Sequence, residues 1–263
     1  MIRAGGALGL SFLLGLGAGV SSAAHAHEAE ATPQQANPPY DGRFAFVRLR
    51  YGAAGGGDLR TGGLGRGRGR EPMWSHDTPR AETNFLRILQ QLTSIQTAPD
   101  YHLILDVDDP ALSRYPVAYI VEVGYWDPTE SEVLALRAWL LKGGFLIVDD
   151  FRGDHWANFE AQMRRILPDG RFLPLDGRDA IFDSFFHIAD PYSLVPPYDQ
   201  QLPPVYLGLF EKNDPSRRMM VIANYNNDLA EYWEFSDYGY YPIDLSNEAY
   251  KFGVNYVMYG LTH

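Results

Sequence analysis

The sequence predicts an α/β domain with a mainly parallel sheet and helices packed on both faces. Two short, almost continuous apolar runs, Val117–Val123 and Phe145–Val148, are typical of strands that are covered on both sides. A helical pattern lies between them, beginning at Asp127-Pro128-Thr129 and ending at Gly143-Gly144. A strand, a helix and a strand at this spacing form a βαβ unit, which joins parallel strands. With 263 residues, 46% of them hydrophobic, the chain is long enough to bury such a core.

Apolar periodicity predicts the remaining elements. A Gly-rich segment from Gly52 to Gly69 reads as a long loop between the first strand and the first helix. The other predicted elements are a strand at 44–50, a helix from Thr78-Pro79 to about Ile95, a strand at 101–107, a helix at 156–166, a hairpin made of 205–210 and 219–223, and a C-terminal helix at 247–261.

The N-terminal residues have the pattern of a secretory signal peptide. Arg3 supplies a positive charge, Leu8 to Val20 form an apolar stretch, and Ala24-His25-Ala26 is a small-residue cleavage site. We therefore expect a signal peptide at 1–26, a linker at 27–42 and one domain at 43–263, in a periplasmic or secreted protein. An uncleaved membrane anchor is the alternative, but no later apolar run is long enough to span a bilayer.

Composition excludes several kinds of chemistry. The chain contains no cysteine, which excludes disulfides, thiolate metal ligands and a cysteine nucleophile. Its formal net charge of −11 makes nucleic acid an unexpected partner. The signatures H-E-x-x-H, G-x-S-x-G and the EF-hand loop are also absent from the sequence.

Acidic and aromatic side chains follow the two strands of the βαβ unit. Ligands of open parallel sheets bind at the carboxyl ends of the strands, so we expect these two loops to form one site. A pair of aspartates can act as a general base or hold a divalent cation, and a histidine can relay a proton or bind the metal. The candidate catalytic residues are Glu122, Asp149, Asp150 and His155, and the candidate ligand contacts are Tyr125, Trp126 and Arg152.

Each of these features also has a purely structural interpretation. One aspartate of the pair can cap the following helix while the other faces solvent or pairs with Arg152. Glu122 is either a carboxylate at the sheet edge or a buried group that needs a partner. The aromatic residues between Tyr225 and Tyr241 could stack on a sugar or simply pack over the fold. No cofactor is expected, although a divalent metal fits the acidic residues.

Several segments together resemble one family. They are Phe46–Tyr51, Trp126–Glu130, Leu136–Leu140, Gly143–Phe151 and Gly253–His263. From about residue 43 to the end, the chain looks like domain-of-unknown-function family 4159. This resemblance implies a flavodoxin-type fold similar to the class I glutamine amidotransferases, and it implies no established activity. The position of the amidotransferase cysteine would fall near Asp149 or Asp150, so glutaminase chemistry is not expected.

Three functions remain open from the sequence. The first is an exported, amidotransferase-like domain without glutaminase chemistry that acts as a binding or interaction module of the cell envelope, with an envelope protein or a small ligand as its partner. The second is a metal- or carboxylate-dependent hydrolase acting on an envelope substrate through the acidic residues. The third is a carbohydrate-binding module that uses the aromatic C-terminal region.

Overall fold

The computed structural model describes residues 37–52 and 72–263. The predicted signal peptide, the linker up to residue 36 and most of the Gly-rich segment lie outside the described residues. Residues 37–42, the described end of the predicted linker, contain no helix or strand. The Asn37 side chain nevertheless bonds the backbone of Ile104 twice, at 2.7 and 3.1 Å, and so holds this segment against the edge of the sheet.

One sheet of seven strands organises the described residues. The strands are β1 (Phe44–Arg50), β2 (Thr97–Asp106), β3 (Val117–Val121), β4 (Phe145–Phe151), β5 (Phe172–Pro174), β6 (Val205–Phe210) and β7 (Met219–Tyr225), in the order β2-β1-β3-β4-β7-β6-β5. Strands β2, β1, β3, β4 and β7 are parallel, and they follow the order of flavodoxin-like sheets. Strand β6 runs antiparallel to both of its neighbours, β5 and β7, and it forms the predicted hairpin with β7. The predicted mainly parallel α/β sheet is confirmed.

Helices cover both faces of this sheet. They are α1 (Arg80–Leu92), α2 (Glu130–Leu141), α3 (His155–Ile166), α4 (Leu229–Glu234) and α5 (Ile243–Thr262). Alternate residues of β3 enter two separate cores: Tyr119 packs in the core beneath α1, α4 and α5, and Ile120 packs in the core beneath α2 and α3. This alternation explains the continuous apolar run, because a strand covered on both faces has no polar side.

The helix in the βαβ unit begins at the residue that the sequence indicates. The Thr129 side chain accepts a hydrogen bond from the Glu132 backbone, and the Glu132 carboxylate accepts one from the Thr129 backbone at 2.7 Å. This reciprocal capping box satisfies two backbone donors that the first turn of a helix leaves free. The local sequence therefore determines where α2 starts.

Strand β4 is longer than the sequence predicts. It continues through Asp149 and Asp150 to Phe151, where we expected a loop after Val148. The strand continues because β7 pairs with it as far as Phe151 and Tyr225. The short strand β5 and the short helix α4 are two further elements that the sequence analysis did not predict.

The described helices have no apolar membrane span. None of them is both long and apolar enough to cross a bilayer.

Candidate functional site

Two acidic residues turn the backbone at the carboxyl ends of neighbouring strands. Glu122 follows β3 with a φ of 52°, and Asp150 lies near the end of β4 with a φ of 48°. This left-handed conformation is unfavourable for a residue with a side chain, and strained residues of this kind cluster at functional sites. The Glu122 N–H donates to the Asp150 carbonyl at 3.1 Å, so the two turns are joined directly.

Tyr51, the first residue after β1, supports the turn at Glu122. Its buried hydroxyl lies 2.8 Å from both the Val121 and the Glu122 carbonyl oxygens. The ends of β1, β3 and β4 are thus connected at one edge of the sheet. In a flavodoxin-like order, the edge between the first and third strands is where ligands bind.

His76 completes this group, although the sequence analysis missed it. Its Nδ1 lies 3.2 Å from Glu122 Oε1 and 3.5 Å from Asp150 Oδ2. One nitrogen of His76 and one oxygen of each carboxylate all lie within 4.8 Å of one another. No motif spacing links a lone histidine before α1 to strands that follow much later in the chain. The only local signal is its position beside Asp77, just before the Thr78-Pro79 helix start.

Burial and close charges shift the pKa values of these groups. Burial and the charge of Asp150 raise the pKa of Glu122 to about 7, although His76 opposes the shift. Burial opposes protonation of His76, but hydrogen bonds to Asp150 and Glu122 raise its pKa to about 10. His76 therefore lies between two acidic side chains, and the pKa values of His76 and Glu122 are both shifted, which is typical of clusters at functional sites.

His155, the first residue of α3, lies on the other side of Glu122. Its Nδ1 is 3.7 Å from Glu122 Oε2, and neither of these two buried atoms has a hydrogen-bond partner among the described residues. Burial lowers the pKa of His155. A Cβ on Gly124 would lie 2.3 Å from the His155 ring, so only glycine at this position allows the approach.

Asp149 has a different environment from Asp150, and its predicted catalytic role needs correction. The side chain is fully buried, and its carboxylate is surrounded by hydrogen-bond donors. Oδ2 accepts from the Tyr119 hydroxyl at 2.7 Å and from the Leu229 and Ala230 backbone at 2.9 and 3.2 Å, and Oδ1 accepts from Asn224 at 3.0 Å. Asp149 therefore holds α4 against the sheet and presents no free oxygen to a substrate.

The three predicted ligand contacts differ in burial. Trp126 is fully buried in the core beneath α2 and α3, so its ring is not presented to a ligand and this prediction is corrected. Tyr125 stays partly exposed, and its ring meets that of His155 edge to face at 5.0 Å. Arg152 is exposed, with its guanidinium 4.0 Å from the centre of the Tyr198 ring. Tyr125 and Arg152 thus lie at the edge of the site.

Most of the aromatic C-terminal region belongs to the core. Tyr232 and Trp233 are buried, and the Trp233 ring stacks on Phe85 with 4.6 Å between the ring centres. Tyr238 and Tyr240 remain 69% and 72% exposed. The proposed sugar-stacking surface is therefore limited to a few rings at the end of α4 and the turn that follows.

One cavity of the described residues lies away from the acidic group. It has a volume of about 330 Å³ and is lined by residues that include Tyr115, Trp139 and Gly144. Tyr115 and Gly144 lie just before β3 and β4, and Val107 and Asp108, which also line the cavity, follow the end of β2. Glu122 and Asp150 are not among the residues that line it.

Comparison with known proteins identifies the family. A comparison with curated proteins finds no match. The family described as Domain of unknown function (DUF4159) matches residues 46–261, a range that contains both acidic turns and all of the sheet except the first two residues of β1. Because this match covers most of the chain, the protein belongs to the DUF4159 family.

Proposed function

We propose that this protein is a metal-dependent hydrolase whose site is formed by His76, Glu122 and Asp150. The observation that carries the proposal is the convergence of one imidazole nitrogen and two carboxylate oxygens within 4.8 Å. Both acidic residues reach this position through left-handed backbone conformations, which a fold does not retain without compensation.

The three donors suit a transition metal or zinc. Imidazole and carboxylate ligands bind Zn²⁺, Mn²⁺ and Fe²⁺, and catalytic zinc sites characteristically use three protein ligands. A metal held by these three residues would supply Lewis-acid chemistry that can activate water as a nucleophile near neutral pH. His76, Glu122 and Asp150 would hold the metal from three separate elements of the fold.

His155 is the best candidate for the general base. Because burial lowers its pKa, the imidazole is neutral near pH 7 and can accept a proton. Its unpartnered Nδ1 lies beside Glu122, outside the group of three ligands. In this arrangement His155 takes a proton from the attacking water, and Arg152 at the exposed edge orients an anionic part of the substrate.

The cellular setting and the finer fold assignment belong to the same proposal. We infer from the N-terminal sequence pattern that the protein is exported, and that its substrate is a component of the cell envelope. We also infer a class I glutamine amidotransferase-like version of the flavodoxin-like sheet. Support comes from the parallel strand order and from the acidic residues at the tip of β4, where the amidotransferases carry their cysteine.

Metal loading of the full chain tests the proposal. The chelator-treated protein is titrated with Zn²⁺ or Mn²⁺, and the loaded protein is assayed on ester, phosphate and glycoside substrates. Asp150→Asn removes one ligand charge and keeps a side chain that tolerates the left-handed backbone. We expect this variant to bind metal more than tenfold more weakly, the scale seen when even supporting residues of metal sites are changed, and to lose hydrolysis.

Asp183→Asn is the matched control. Asp183 is an exposed acid that also faces a histidine, with His187 Nδ1 at 3.0 Å, but it lies in a different part of the fold. Its substitution should leave metal affinity and turnover unchanged. A wild-type protein that binds neither metal and hydrolyses none of the substrates would contradict the proposal.

A binding module of the envelope without catalysis is the second candidate function. It is favoured by the lack of cysteine in the chain, which leaves no thiol at the tip of β4, and by the use of Asp149 as an internal hydrogen-bond acceptor. The same experiment separates the two candidates. Tight metal binding that is lost in Asp150→Asn, with no hydrolysis by the loaded wild type, would favour the binding module.

A further inference from the structure

A second group of carboxylates lies next to the His76 site. Asp77 directly follows His76, Asp228 is the N-cap of α4, and Glu231 lies in the first turn of that helix. One oxygen from each of the three carboxylates lies within 4.8 Å of the other two. None of these residues belongs to the three ligands of the proposed hydrolytic site.

Asp77 has one carboxylate oxygen without a partner in the part of the chain that the structure describes, whereas Glu231 Oε1 accepts a hydrogen bond from the Tyr241 hydroxyl at 2.9 Å. Asp77 is only 7% exposed, and its Oδ2 is buried with no hydrogen-bond partner among the described residues. Asp228 is only 4% exposed, and it uses one oxygen to accept the Glu231 backbone N–H at 2.9 Å. A buried carboxylate without compensation is costly, so such groups are paired, protonated or bound to a cation.

Arg48 is a nearby cation that lowers the pKa of Asp77 against the rise that burial causes, but it makes no hydrogen bond to that carboxylate among the described residues. Its guanidinium is hydrogen-bonded to Glu82 and, at 3.1 Å, to the Trp74 carbonyl, and its buried Nη2 has no partner in the described part of the chain. The Asp77 Oδ2 atom therefore has no direct donor among the described residues, although it belongs to a group of three carboxylates.

We propose that Asp77, Asp228 and Glu231 form a second divalent-cation site, adjacent to the first. Its ligands are all carboxylate oxygens, which suit hard cations such as Mn²⁺, Mg²⁺ and Ca²⁺, whereas the first site also offers an imidazole nitrogen. The second site shares no ligand with the first, so its existence does not depend on the proposed hydrolytic site. Its role in a reaction rests on the proposed function, since two adjacent cations can stabilise both the attacking and the leaving oxygen in a hydrolysis.

The backbone at these positions provides conservative variants. Asp77 has a φ of 65°, a conformation that asparagine adopts about as readily as aspartate. Asparagine is also as good an N-cap as aspartate, so Asp228→Asn can keep the bond to the Glu231 backbone. Asp77→Asn and Asp228→Asn thus remove one charge each and preserve the local structure, which circular dichroism and a thermal melt can verify.

Manganese binding by the full chain tests the second site. The chelator-treated protein is titrated with Mn²⁺, the free ion is followed by electron paramagnetic resonance, and retained metal is measured after desalting. We expect about two Mn²⁺ per chain in the wild type and in the exposed control Asp183→Asn, as in other two-metal sites. We expect about one in Asp77→Asn, in Asp228→Asn and in Glu122→Gln, because each variant disables one site.

The outcomes distinguish the second site from the proposed function. A single Mn²⁺ that is lost in Glu122→Gln but kept in both asparagine variants overturns the second site and leaves the first in place. A single Mn²⁺ that is lost in both asparagine variants and kept in Glu122→Gln supports the second site and contradicts the first. A wild type that binds no Mn²⁺ overturns the second site, and it means that Asp77 and Asp228 are neutralised by protons.

Discussion

The two adjacent aspartates of β4 are expected to respond differently to substitution, and Asp149→Ala is the decisive change. Asp149 is buried and accepts four hydrogen bonds, whereas Asp150 turns towards His76 at the edge of the sheet. Removing the Asp149 carboxylate should destabilise the fold without removing a ligand of the proposed metal site. Removing the Asp150 charge should weaken metal binding and leave the stability of the fold nearly unchanged.

The magnitude follows from the donors that Asp149→Ala leaves behind. These are the Tyr119 hydroxyl, the Asn224 amide and the backbone N–H groups of Leu229 and Ala230. A buried donor without a partner costs about 1–3 kcal/mol. Four unpartnered donors, each at the low end of this range, cost about 4 kcal/mol. The variant no longer buries a carboxylate, and this gain offsets part of any higher donor cost. We expect a loss of about 3–5 kcal/mol in the free energy of unfolding.

Urea unfolding of the chelator-treated protein measures this loss. With an m-value of about 2 kcal/mol/M, the midpoint should fall by about 2 M in Asp149→Ala. Asp149→Asn keeps the shape and one acceptor, so it should cost only about 1–2 kcal/mol. Asp150→Asn should shift the midpoint little and abolish metal binding. A cost of less than about 1 kcal/mol for Asp149→Ala would refute the conclusion that the Asp149 hydrogen bonds hold α4 against the sheet.

Further predictions concern the helix start, the buried ion pair and the dependence on pH. Thr129→Ala should cost about 1 kcal/mol through loss of the capping box, a fall of about 2–4 °C in Tm by calorimetry. Arg48→Met should cost about 3–5 kcal/mol in urea unfolding because it leaves the Glu82 charge buried and unpaired, and the double variant with Glu82→Leu should recover most of that loss. In metal-free protein, the raised pKa of His76 stabilises the fold fully below pH 6.5, the pKa of this histidine in the unfolded chain, and this stabilisation is lost as the pH rises through about 10. The raised pKa of Glu122 has a similar effect at lower pH, because its ionisation destabilises the fold as the pH rises from 4.5 to about 7. The free energy of unfolding should therefore fall across this range, and His76→Gln should flatten the decline above pH 6.5; an unchanged slope would refute the contribution of His76.

Much of the fold could be predicted because its signals are local. The continuous apolar run of β3 and the capping residue Thr129 each depend on neighbours a few positions away. The carboxyl-end rule then identified Glu122, Asp150 and His155 as neighbours, and the structure brings all three together. Local patterns could not predict the full length of β4, because its last residues are fixed by pairing with β7, which lies more than sixty residues later.

The same limit explains the errors at the site. Asp149 and Asp150 are adjacent and chemically identical in the sequence, yet Asp149 is buried in the fold, whereas the left-handed turn at Asp150 places the second carboxylate beside His76. Trp126 follows a strand just as a ligand-contacting residue would, but packing beneath α2 and α3 buries it. His76 was missed because its partners come from β3 and β4, and only the folded chain brings them within reach.

The sequence by itself determined the α/β class, the parallel βαβ unit, the start of α2 and the absence of thiol chemistry. Each of these depends on composition or on the periodicity of a short segment. Only the tertiary structure decided which carboxylates are consumed by internal hydrogen bonds and which meet histidine or one another at the carboxyl edge of the sheet. The physical reason is that burial, hydrogen-bond partners and charge proximity are set by contacts between distant segments, and a carboxylate's chemistry depends on those contacts rather than on its place in the chain.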